Sequence, residues 1–127
     1  ERIELRAGNA VGADTGVLAD VVGQVDVLVS NPPYIPSGAR PTEPEVRDHD
    51  PELALWSGDD GLDAIRAIER TAWRLLKPGG VLGIEHADAQ GESAPAVFSS
   101  ADGHDWRDVR DNLDLAGRPR YVTAGKP

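Results

Sequence analysis

Cysteine is missing from the 127 residues of this chain. That excludes disulfides and thiolate metal sites and leaves the redox compartment open. Basic residues are scarce: 13 lysines and arginines stand against 22 aspartates and glutamates, a formal net charge of −9. Phosphate backbones attract Lys/Arg surfaces, so nucleic acid is disfavoured as a direct substrate, although a total charge does not exclude a local basic patch. No apolar run is long enough to span a bilayer, and no signal-peptide pattern opens the chain. The expectation is a soluble, cytoplasmic protein without a membrane partner. The length suits one compact domain. The first residue is Glu1 rather than methionine, and an apparent strand follows almost at once. The interior of a longer protein is the expected origin, with processing as the other route to such a start.

What is present centres on Val25-Asp26-Val27-Leu28-Val29-Ser30 followed by Asn31-Pro32-Pro33-Tyr34-Ile35. The first six residues are mostly apolar on both faces, the pattern of a buried, parallel-type strand. Pro32 and Pro33 cannot donate ladder hydrogen bonds, so the strand must end there. The chain thus leaves the sheet at a strand's carboxyl end, where open α/β sheets bind ligands. Asn31 brings a carboxamide that both donates and accepts, and Tyr34 a flat face and a hydroxyl. Together they shape a pocket for a planar, amide-like group. The plainer alternative is an Asn-Pro turn with a packed aromatic.

Around that stretch, Ile3-Glu4-Leu5 reads as a short strand. Gly12 to Gly16 reads as a loop that lacks the lysine of a phosphate-binding loop, and Val17 to Val22 as a helical turn. Residues 35–57 are polar and carry Pro36, Pro41, Pro44 and Pro51, too many for a helix of any length. This segment is either a solvated loop or a lip facing substrate. Asp60 to Leu76 is the clearest helix, with Leu62, Ile65, Ile68, Ala72, Leu75 and Leu76 on one stripe. Asp59 or Asp60 is placed to cap it, and Lys77-Pro78-Gly79-Gly80 to stop it. Val81 to His86 is a second buried-type strand, completing a βαβ unit. Glu85 and His86 end it on the rim shared with Asn31. Glu85 either shapes a site or caps backbone groups, and His86 reads as a satisfied polar residue. No second His or Cys stands at ligand spacing, so no metal site is expected. Residues 90–100 suggest a helix interrupted near Pro95. Trp106 to Asn112 and the segment around Tyr121-Val122-Thr123-Ala124 suggest an antiparallel hairpin at a sheet edge.

The Asn31-Pro32-Pro33-Tyr34 element after an apolar strand is like the signature of Rossmann-like methyltransferases that act on planar nitrogen. Beyond it come Glu45-Val46-Arg47, Pro51-Glu52-Leu53-Ala54-Leu55 and Asp60-Gly61-Leu62. Gly79-Gly80, Glu85-His86, Gln90-Gly91, Asp114-Leu115-Ala116-Gly117 and Arg120 follow. This series resembles the peptide chain release factor glutamine methyltransferase (HemK/PrmC) family along nearly the whole chain. The resemblance implies an α/β chain with a partial Rossmann-like class I methyltransferase fold. Its sheet would be mostly parallel, with a carboxyl-terminal antiparallel hairpin. Residues 1–127 would be the carboxyl-terminal portion of the methyltransferase domain.

The resemblance further implies S-adenosylmethionine as cofactor and the glutamine-bearing loop of a release factor as partner. The Asn31 side-chain oxygen and the Pro32 carbonyl would each accept one hydrogen of the substrate amide, making these two residues catalytic. Pro33 and Tyr34 would help to bind the amide plane, and Glu45, Arg47 and Glu85 would shape the site. Asn9 and Asn31 are the cofactor-binding candidates. The family's helical amino-terminal domain, its glycine-rich cofactor loop and its acidic ribose-binding residue have no counterpart here. In the family's sheet two further strands stand between the Ile3–Leu5 and Val25–Ser30 strands, so both would lack a neighbour. Two rivals stay open: an adenine-amino nucleic-acid methyltransferase holding a flipped base in the same pocket, and a catalytically incomplete fragment that only binds a partner.

Overall fold

The computed structural model describes residues 2–32 and 61–127. Six regular elements build it: β1 (Val25–Ser30), α1 (Asp63–Leu75), β2 (Leu76–Glu85), α2 (Ser93–Ser99), β3 (Arg107–Leu113) and β4 (Pro119–Gly125). The strands form one sheet in the order β1-β2-β4-β3. β1 runs parallel to β2, while β2–β4 and β4–β3 are antiparallel. A parallel start closed by an antiparallel carboxyl-terminal hairpin is the partial class I methyltransferase fold that the sequence led us to expect. No helix among the described residues is long and apolar enough to cross a membrane.

The core lies on one face only. α1 turns Ile65, Ile68 and Ala72 onto Leu82 and Ile84 of β2 and Val122 and Ala124 of β4, with Phe98 of α2 and Trp106 filling the end of the layer. Each of the larger buried side chains contributes about 1.5–3 kcal/mol by leaving water. The opposite face carries no layer among the described residues: Val27 is 60 % exposed, Val29 78 % and Val81 47 %. β1 was expected to be buried on both faces, and the structure corrects this. Among the described residues it is an edge strand with one covered face, because no described element lies over the other.

Ile3-Glu4-Leu5 is not a strand. Its residues pair with none of the four strands, and Ile3 and Leu5 stand 91 % and 95 % exposed. A strand without a neighbour has no ladder to join, and propensity alone does not hold it. The segment is tied down by Arg6, which donates to the Val17 carbonyl at 2.9 Å and pairs with Asp20.

Other boundaries shift for local reasons. α1 begins at Asp63, and the proposed caps Asp59 and Asp60 lie outside the described residues. β2 starts directly at Leu76, so Lys77-Pro78-Gly79-Gly80 lies inside the strand as an excursion. Val25 pairs with Leu76 but Val27 with Val81. Gly79 at φ +88 supplies the left-handed turn this needs. Gly80 lies so close to the Val25 carbonyl that an added Cβ would sit 3.0 Å from it. Pro95 does not interrupt α2, because it falls in the helix's first turn, where its missing N–H is not needed.

Candidate functional site

β1 delivers Asn31 and Pro32 to the carboxyl end of the sheet. Asn31 is exposed and Pro32 buried. Ser30 pairs with Ile84, which brings the next residues, Asn31 and Glu85, to adjacent strand ends. Strand alternation places Glu85 on the bare face with Val81 and Gly83. A shallow apolar depression of 380 Å³ on that face, walled by Val27, Val29, Val81, Tyr121 and Thr123, runs up to Glu85.

Glu85 has a cationic neighbour. A guanidinium nitrogen of Arg120 lies 4.0 Å from its carboxylate. Arg120 in turn donates through Nε and Nη2 to Asp114 Oδ2, each at 3.3 Å. Asp114 Oδ1 accepts the backbone N–H groups of Ala116 at 2.8 Å and Arg118 at 3.0 Å. The Arg118 N–H, then the Ala116 N–H and the Arg120 guanidinium, hold the Asp114 carboxyl below its ordinary value. His86 is fully buried, with Nδ1 at 2.7 Å from the Ala87 carbonyl and Nε2 at 2.6 Å from Asp111 Oδ1. Both ring nitrogens are engaged, and the ring fastens the end of β2 to β3.

The other expected site residues separate into two groups. Pro33, Tyr34, Glu45 and Arg47 lie outside the described residues. Asn9 is exposed, and its Oδ1 accepts the Val11 N–H at 3.0 Å, closing a turn of its own. A nucleoside-bearing methyl donor is cradled by backbone N–H groups at a glycine-rich strand-to-helix turn. The described residues put no such turn beside Asn31, and the sequence between Gly8 and Gly16 leads into a short 3-10 helix instead. The described residues therefore do not form a complete S-adenosylmethionine site. No group of three or more His, Asp or Glu able to hold a metal ion occurs among the described residues.

Two features were not foreseen. Gln90, 6 % exposed, bridges the turn after β2 to Gly61. Glu69, 4 % exposed, accepts from His104 Nδ1 at 2.5 Å and Trp106 Nε1 at 2.9 Å, and His104 stacks on Trp73. Glu69 stands between Ile68 and Ala72 on α1, and no sequence signal marks a carboxylate there as buried. The sequence marks Gln90 only as the start of a helix and as part of the Gln90-Gly91 pair, not as a buried bridge.

No family model matches the chain. Among curated proteins, it is 55 % identical over 126 residues to the release factor glutamine methyltransferase of Streptomyces coelicolor, covering 98 % of this chain and 43 % of that protein. It is 48 % identical over 108 residues to the release factor glutamine methyltransferase of Mycobacterium tuberculosis, covering 85 % and 34 %. It is also 60 % identical over 79 residues to a 4-amino-L-phenylalanine/4-methylamino-L-phenylalanine methyltransferase of Streptomyces pristinaespiralis, covering 62 % and 27 %. The chain spans less than half the length of these relatives. Methyltransferase relatives imply S-adenosylmethionine as the donor in general terms.

Proposed function

Because this chain belongs to the release factor glutamine methyltransferase (HemK/PrmC) family over the part it spans, we propose that it is the carboxyl-terminal portion of a methyltransferase domain. The proposed reaction of the longer enzyme is methylation of a glutamine side-chain amide in a cytoplasmic peptide chain release factor. The observation that carries this reading is Asn31-Pro32 standing past the carboxyl end of β1, with the amide exposed and the proline buried.

An amide nitrogen is a weak nucleophile, since its lone pair is delocalised into the carbonyl. Two fixed acceptors, the Asn31 side-chain oxygen and the Pro32 carbonyl, would take one N–H each and turn the nitrogen's π face outward. Preorganised acceptors also stabilise the positive charge that grows on nitrogen. Burial of the Pro32 ring and its fixed φ keep the carbonyl acceptor from drifting. Pro33 and Tyr34 would line the amide plane, and Glu45, Arg47 and Glu85 the surrounding rim. S-adenosylmethionine would supply the methyl group in this reading, and Asn9 and Asn31 would be the contributions from this chain to holding it. Arg120 supports Glu85 on the rim in the same reading.

The test uses a hybrid in which this chain replaces the matching 126 residues of the Streptomyces coelicolor relative. The expected result is transfer of a labelled methyl group to release factor glutamine. Asn31→Ala in that hybrid should lower kcat by about 10²-fold or more; unchanged turnover would remove the role given to Asn31. A second reading draws on the 60 % identity to the Streptomyces pristinaespiralis protein. The same two acceptors suit a planar aromatic amine. A hybrid that methylates 4-amino-L-phenylalanine and leaves release factor untouched would establish that reading instead.

A further inference from the structure

The register of β4 against β2 carries the β3–β4 hairpin past the candidate site. Glu85 pairs with Tyr121, and the His86 N–H donates to the Arg120 carbonyl at 2.8 Å. Asn31 follows Ser30, which pairs with Ile84, so Asn31 stands level with Glu85 and Tyr121. The outermost pair of the hairpin, Pro119 with Leu113, lies two residues of β4 farther out. At about 3.4 Å per residue, the hairpin overhangs the mouth of β1 by roughly 7 Å before its turn begins. β4 is the second strand from β1, about 10 Å to the side. The overhanging end carries Leu115, fully exposed, and Leu113, exposed as well. The turn between them and β4 is fixed. Asp114 Oδ1 accepts the Ala116 and Arg118 N–H groups, and the Asp114 N–H donates to the Arg118 carbonyl at 2.8 Å. One exposed leucine is ordinary. Two on a fixed projection beside a strand mouth make an apolar contact surface at the candidate site.

We infer that the Leu113 and Leu115 end of the hairpin docks the protein substrate, by meeting apolar side chains that flank the glutamine. This rests on the glutamine-amide reading above. A glutamine side chain holds its nitrogen roughly 5 Å from its own Cα, across four bonds of about 1.5 Å. With that nitrogen at Asn31, the substrate backbone runs near the height of the overhang. Residues a few positions along then reach the hairpin, since an extended chain gains about 3.3 Å per residue. A turn already fixed by Asp114 loses little conformational freedom when a partner settles on it. The leucines stand away from the reacting nitrogen, so their loss acts on substrate binding and leaves the chemical step in place.

The hybrid enzyme provides the test. Leu113→Ser and Leu115→Ser change exposed side chains, so the variants should fold as the unsubstituted hybrid does. Together they should weaken binding of release factor, titrated without turnover, by about fivefold or more. KM should rise to match while kcat stays within about twofold, and affinity for S-adenosylmethionine should not change. Leu115→Met, which keeps an apolar tip, should bind release factor as the unsubstituted hybrid does. Unchanged affinity for release factor in the double variant overturns the inference. So does an equal loss of cofactor affinity, which would mean that the leucines pack against another part of the enzyme. An unsubstituted hybrid with no transfer to release factor counts against the glutamine reading itself, and the inference falls with it.

Discussion

Glu69 shows what a single residue can conceal. It lies on the buried side of α1 with no sign in the helical pattern, yet one of its oxygens meets both the His104 and the Trp106 N–H. Removing it strands the buried Trp106 donor and the half-buried His104 donor. Glu69→Ala should therefore destabilise the chain by about 2–3 kcal/mol, seen as a lower urea midpoint, whereas Glu69→Gln, which retains an acceptor, should lose clearly less. Asn31 was legible in the sequence because a local rule exposes it: an apolar strand cannot continue into two prolines, so the residue before them stands at the strand's mouth. Gln90 and Glu69 were not legible, because the partners at Gly61, His104 and Trp106 lie 29, 35 and 37 residues away and no periodicity reports such a distance.

The β3–β4 hairpin is the element whose behaviour follows most directly from its chemistry. Asp114 takes the N–H groups of Ala116 and Arg118, and Gly117 at φ +81 closes the turn. The Asp114 carboxyl titrates below its ordinary value of 3.8. A carboxyl depressed on folding adds stability above its unfolded pKa, and that contribution is lost as pH falls through the folded value. The hairpin should therefore hold above pH 3.8 and loosen progressively below it, with the Ala116 and Arg118 amides losing protection from hydrogen exchange first. Equal protection at neutral and strongly acid pH would contradict this. Asp114→Asn should weaken the turn without the acid dependence. The hairpin and α1 could be read from the sequence because turn residues and a 3.6-residue stripe are local signals. The Ile3–Leu5 strand was misread for the opposite reason: a strand exists only with its neighbour. The Lys77–Gly80 stretch reads as a helix stop because proline and glycine mark one, and pairing on either side of it also keeps it within β2.

At the scale of the whole molecule, one face of the sheet is packed and the other bears Val27, Val29 and Val81 in water. The 127-residue chain alone should bind a hydrophobic dye strongly and show no saturable binding of S-adenosylmethionine by calorimetry, while the hybrid should bind the cofactor and lose the dye signal. Saturable cofactor binding by the isolated chain would mean that a complete cradle is built from these residues after all. Composition foretold none of this asymmetry, because an apolar strand reads the same whether one of its faces is covered or two. The outer edge of β1 also has a kinetic side. A parallel partner cannot reach that edge through a hairpin; it arrives through a crossover or from a separate polypeptide, and either route closes a distant contact late. If the longer enzyme adds a parallel strand at β1, that joining should be the slow step of assembly. Supplied as two polypeptides, the hybrid should recover activity at a rate that rises with the concentration of the partner piece, so the border of β1 becomes a place where the enzyme can be divided and reunited.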